Sequence, residues 1–119
     1  MKKAEKARIE RMLVLGCCAC AKIGKPNYHM LEVHHILSGG NRMGHWYSLP
    51  LCRGHHQRGS FTAVQKLTLE PEQQVSIGDG RPLFNKIYGT ERKLWEGVQF
   101  VLGLDDTWIT SKILPRRAA

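Results

Sequence analysis

The chain has 119 residues, 42% of them hydrophobic, and carries a formal net charge of +8. That length suits one domain with a modest core, near the size where small folds need a staple, and the hydrophobic fraction excludes wholesale disorder. No apolar run reaches the roughly 18 residues of a membrane span, and the apolar stretch at 12–15 is too short for a secretory leader.

The charge is unevenly spread. Residues 1–58 hold ten Lys/Arg against three Asp/Glu, whereas residues 59–119 hold eight against seven. The excess therefore coincides with the cysteines and histidines. A basic field of this kind suits a polyanion such as nucleic acid, because each Lys or Arg near a phosphate releases counterions.

In chain order, residues 2–15 favour helix by propensity, with Ile9 and Leu13 on one face. Residues 1–5 are expected to fray, and those that follow to lie against phosphates. Gly16-Cys17-Cys18-Ala19-Cys20 is a tight turn in which Cys17 and Cys20 have metal-knuckle spacing and Cys18 is a small hydrophobe. Residues 21–27 read as a loop. Residues 28–36 are extended, which would point His34 and His35 to opposite faces of a strand. A long polar loop over 38–48 holds Asn41, Arg42 and His45. It leads to Leu49-Pro50-Leu51 and the second knuckle, Cys52-Arg53-Gly54-His55, followed at once by His56 and a short helix.

Beyond, Pro82 fits the first turn of a helix ending at Tyr88, with Gly89 as its stop. Thr90 caps a longer helix to Leu102 whose inner face is Leu94, Trp95, Val98, Val101 and Leu102. Trp108, Ile109, Ile113 and Leu114 make the last segment too apolar for a free tail. The organisation expected is a single domain over 1–119, with a basic extension at 1–12 and a C-terminal one at 104–119.

Cys17, Cys20, Cys52 and His55 form a Cys3His set of two matched half-sites. Zinc prefers such thiolate and imidazole ligands in a tetrahedron, and a closed set of four leaves no open position for catalysis. A structural zinc follows, together with a reducing cytosol rather than a disulfide scaffold. The remaining histidines are His29, His34, His35, His45 and His56. Phosphodiester hydrolysis needs a metal to neutralise phosphate charge and a base to take a proton from water, and neutral imidazole can supply that base.

The run Glu-Val-His-His-Ile, a loop, then Leu-Cys-x-x-His-His resembles the zinc-knuckle branch of the HNH, or ββα-metal, endonucleases. More narrowly, Gly16-Cys17-x-x-Cys20, His34-His35, Leu49-Pro50-Leu51-Cys52-x-x-His55-His56 and Tyr88-Gly89-Thr90-Glu91 resemble the recombination-enhancement phage nucleases, which cut DNA where RecA filaments have formed. The resemblance covers roughly residues 13–103. It implies an α+β fold: a small ββα-metal core stapled by structural zinc and flanked by helices. It also implies that His35 is the general base, and that His34 and His56 hold a catalytic divalent ion, magnesium or, in isolated protein, zinc. DNA and a RecA nucleoprotein filament are the implied partners, with no membrane, in the cytoplasm of a bacterial host of a phage or prophage.

The middle Asn of the HNH signature has no counterpart about five residues before Cys52, where Tyr47 and Ser48 stand. Asn41 or His45 are the candidates for its orienting role; His45 is equally a candidate third ligand, phosphate contact or plain polar group. Arg42, Arg53 and Arg58 are candidate nucleic-acid contacts. Two competing functions remain at this stage. One is a zinc-knuckle DNA-binding module, which needs only Cys17, Cys20, Cys52 and His55. The other is an RNA-processing nuclease.

Overall fold

Residues 1–103 are described in a computed structural model, so the expected C-terminal extension at 104–119 lies outside the described residues. The architecture is α+β, with helices packed around two antiparallel strand pairs.

Helix α1 (Lys3–Val14) forms from good helix formers, and Glu5 reaches back to accept from the Lys2 backbone N–H at 2.7 Å. Glu5, Arg8 and Met12 make its buried stripe, while Ile9 and Leu13 pack half-buried beside it. This differs from the expected fraying tail and phosphate-facing segment: helix begins at Lys3, and Arg8 is only 1% exposed. The reason is tertiary, since acceptors on two other elements receive the Arg8 guanidinium.

Cys17 caps α2 (Cys18–Lys22), its sulfur accepting from the Cys20 backbone N–H at 3.4 Å. Strand β1 (Leu31–His35) pairs antiparallel with β4 (Ser48–Cys52), in a register that sets Leu31 opposite Cys52, His34 opposite Leu49 and His35 opposite Ser48. Between them, β2 (Leu37–Ser38) and β3 (Asn41–Arg42) form a small hairpin around Gly39-Gly40. Strand β4 is buried throughout because α1, α2 and α6 all pack on it. Pro50 is tolerated there since, among the described residues, neither strand has a second strand neighbour to demand its missing N–H. Leu49 and Leu51 are fully buried, each worth roughly 1.5–3 kcal/mol over exposure.

Helix α3 (Arg53–His56) follows β4 directly. Then α4 (Ala63–Thr68) is opened by a Thr62–Gln65 capping box, and two 3-10 turns occupy Pro71–Gln73 and Ile77–Asp79. Helix α5 (Arg81–Tyr88) has Pro82 in its first turn and Gly89, at φ 92°, as its stop. Helix α6 (Glu91–Leu102) starts as expected, with the Thr90 hydroxyl accepting from the Lys93 N–H at 3.1 Å. Leu94, Trp95, Val98 and Leu102 enter the core, joined by Phe84 and Tyr88 of α5. Val101, expected among them, is 65% exposed; Gln99 is buried in its stead because Arg8 needs its side-chain oxygen.

Candidate metal centre and active site

Two backbone turns bring the Cys3His residues together. Gly16 has φ 85°, and a Cβ there would lie 2.8 Å from the Asn27 carbonyl oxygen and 2.9 Å from the Tyr28 ring. Only glycine lets the chain enter the first knuckle along this path. At Gly54 in the second knuckle, a Cβ would lie 2.5 Å from the Phe61 ring.

The ligand atoms of Cys17, Cys20, Cys52 and His55 all lie within 4.8 Å of one another, and the four residues are buried. His55 Nδ1 is 3.3 Å from the sulfurs of both Cys20 and Cys52 and 3.8 Å from that of Cys17; the Cys20 and Cys52 sulfurs are 3.9 Å apart. Zinc–sulfur and zinc–nitrogen bonds of about 2.3 and 2.0 Å place tetrahedral ligands about 3.5–3.8 Å apart, so the set fits one such ion. Contacts with Cys17 and Cys52 push the Cys20 thiol up, while contacts with Cys17 and Cys20 push the Cys52 thiol down. A cation among the three sulfurs is what would let them ionise together.

Outer partners hold this arrangement. The Tyr88 hydroxyl gives its proton to the Gln73 carbonyl, so His55 Nε2–H donates to the Tyr88 oxygen at 2.8 Å and Nδ1 is left for the metal. Gln65 Nε2 donates to the Cys52 sulfur at 3.3 Å. The sequence reading gave Tyr88, Gln73 and Gln65 no part in the metal cluster, because each joins it from a separate element.

A second group gathers at the β1 edge. His34 is buried with Nε2 2.8 Å from Glu91 Oε2, and Arg81 Nε binds the other oxygen of the same carboxylate. His56 Nδ1 is 2.8 Å from Glu32 Oε1, and the His34 and His56 rings meet edge-on with centroids 5.1 Å apart. Burial works against the charge of Glu91, yet His34 and Arg81 hold its carboxyl below the ordinary value. Glu32 is likewise lowered against its own desolvation by His56, Gln57 and Arg53. Glu32 sits two residues before His34 in a strand, so the same-face rule could have found it. Glu91 stood in the Tyr88-Gly89-Thr90-Glu91 motif, but nothing local tied it to His34, 57 residues away.

His35 turns the other way, its Nε2 3.1 Å from His45 Nδ1. Burial, then the nearby Arg42 charge and the neighbouring histidines, push its pKa below the ordinary histidine value. The structure therefore brings His34, His35, His45 and His56 to one edge and leaves His29 exposed elsewhere. Asn41 lies exposed in β3, opposite Ser38. Of the three arginines, Arg42 is exposed beside His35, Arg53 pairs with Glu32 at 3.1 Å, and Arg58 pairs with Asp79 at 3.5 Å.

As a class, this is a small α+β domain whose strands are tied to a buried Cys3His set able to hold one metal, with a histidine and carboxylate cluster alongside. The chain belongs to the recombination enhancement, RecA-dependent nuclease family, which matches residues 2–102. Membership makes it a nuclease and brings in DNA and RecA. No curated protein matches the chain. No helix among the described residues is long and apolar enough to cross a membrane.

Proposed function

We propose that the chain is an HNH-type, metal-dependent DNA endonuclease that cuts where RecA filaments have formed, in the cytoplasm of a bacterium hosting its phage or prophage. The observation that carries this reading is the pairing of each candidate ligand with its own carboxylate. His34 gives Nε2 to Glu91 and His56 gives Nδ1 to Glu32, at 2.8 Å in both cases. Metal-binding histidines characteristically have one ring nitrogen committed in this way, which fixes the ring and presents the other nitrogen.

His34 Nδ1 and His56 Nε2 are the atoms that would hold a divalent ion. Magnesium is the proposed ion, with zinc its competitor because imidazole ligands suit zinc better. Such an ion would neutralise charge on the scissile phosphate and its leaving oxygen. His35 lies beside it on the opposite strand face. With its Nε2–H donated to His45, its Nδ1 is free to take the proton of the attacking water as a P–O bond to sugar breaks. Arg42 next to His35 is placed for a phosphate, and Arg53 and Arg58 can exchange their carboxylate partners for phosphate at the rim. Cys17, Cys20, Cys52 and His55 would hold a structural zinc that fixes β4 and α3, and hence His56. The whole chain 1–119 is read as one nuclease domain.

The test is plasmid cleavage by purified protein with magnesium, manganese or zinc, with and without RecA filaments on a matched single strand, and with His35→Ala alongside. Filament-dependent cleavage lost in His35→Ala supports the proposal. Binding without cleavage under every condition would move the function to a zinc-knuckle DNA-binding module. Preferential cleavage of RNA would overturn the choice of substrate.

A further inference from the structure

We infer that Arg8 and Ser48 are positioning residues for His35, acting through His45; the inference rests on the reading of His35 as base. The loop between β1 and β4 ends at Tyr47, and Ser48 opens β4. The loop is held by a buried fork of hydrogen bonds reaching in from α1.

Arg8 is 1% exposed, and its partners are neutral. Nη1 donates to the Ser48 hydroxyl oxygen at 3.0 Å, Nη2 to the Ser48 carbonyl at 3.2 Å, and Nε to Gln99 Oε1 at 2.8 Å. Burial lowers its pKa to about 10, so it stays charged at neutral pH. A buried cation facing neutral acceptors is expensive, and an apolar side chain would serve a purely packing role better. What an apolar residue cannot do is engage both Ser48 atoms and Gln99 in one plane, the geometry peculiar to a guanidinium.

The consequence runs along the loop. Because Arg8 occupies a lone pair of the Ser48 hydroxyl, that hydroxyl's proton goes to the His45 carbonyl, 2.9 Å away. From the α6 side, Trp95 Nε1 donates to the Trp46 carbonyl at 2.8 Å, and its ring stacks on Tyr47 at 5.4 Å. The Tyr47 carbonyl accepts from the Ile36 N–H at 2.9 Å, which ties the loop to the end of β1. His45 is thereby fixed with Nδ1 towards His35 Nε2. The two nitrogens stand 3.1 Å apart; His45 Nδ1 is inferred to be the acceptor, which would keep the His35 proton on Nε2 and leave Nδ1 bare for water.

Ser48→Ala removes only the hydroxyl link, and Arg8→Lys keeps the charge but not the fork. Long-range 1H–15N spectra of the zinc-loaded protein report the tautomers of His35 and His45, and cleavage kinetics with RecA filaments report kcat and KM separately. The expected result in both variants is a His35 signal averaged between tautomers, with kcat down about tenfold and KM unchanged. If Arg8→Lys fails to fold, Ser48→Ala alone decides. Unchanged imidazole shifts and kcat in a folded Ser48→Ala protein overturn the inference while leaving the nuclease reading intact. Altered imidazole shifts in a protein whose wild type never cleaves leave the positioning standing and sink the catalytic reading.

Discussion

Glu91, the first residue of α6, binds His34, the next-to-last residue of β1, at 2.8 Å across 57 residues of sequence. The carboxylate is itself held from its other side by Arg81. The starts of two helices and a strand thus converge on a single carboxylate, which holds the imidazole by its Nε2.

Glu91→Gln should weaken divalent-ion binding at the His34–His56 pair by about tenfold or more, since the outer carboxylate orients the ring and fixes which nitrogen faces the ion. Calorimetric titration of manganese into protein with its Cys3His set already loaded with zinc measures this. Wild-type affinity in Glu91→Gln would remove Glu91 from the site.

His35→Ala is expected to lower cleavage by at least about a hundredfold, the usual weight of a positioned base. Its melting temperature and its DNA affinity should stay near wild type, because the side chain is only half-buried at the strand edge. Retained cleavage in the folded variant would refute its assignment as base.

Cys52→Ala should lose its zinc and much of its stability together, because metal binding to such a set is folding free energy. Elemental analysis and thermal melting, with and without a chelator, measure both. A variant that keeps a full equivalent of zinc and melts like wild type would show that the ion, if any, is held elsewhere.

Two glycine substitutions should move stability in opposite directions. Gly16→Ala forces a Cβ to 2.8 Å from a carbonyl oxygen at φ 85°, and should cost about 1–3 kcal/mol. Gly97 lies within α6, where an added Cβ meets nothing within 4 Å, so Gly97→Ala should stabilise by roughly 0.5–1 kcal/mol. Urea denaturation of both variants checks the pair, and two changes of the same sign would contradict this backbone geometry.

Local chemistry was legible in the sequence because its determinants are neighbours along the chain. Thr90 as a cap, Pro82 and Gly89 as bounds of α5, and the spacing of Cys17 with Cys20 and of Cys52 with His55 need only a few residues to be read. Strand alternation was enough to send His34 and His35 to different partners. The same local rules misplaced Val101, at the margin of the α6 apolar stripe, because they could not know that Arg8 draws Gln99 inward.

By itself, then, the sequence determined the candidate metal-ligand set and the histidines worth following through short-range spacing preferences, and the α+β class through the family resemblance its motifs carry. Only the tertiary structure decided which carboxylate orients which histidine, and that a residue read as part of a basic tail lies in the core. Arg8 meets Ser48 across 40 residues and Gln99 across 91. Contacts at that range follow from how whole elements pack and from which buried polar groups must find partners, and no local pattern encodes either.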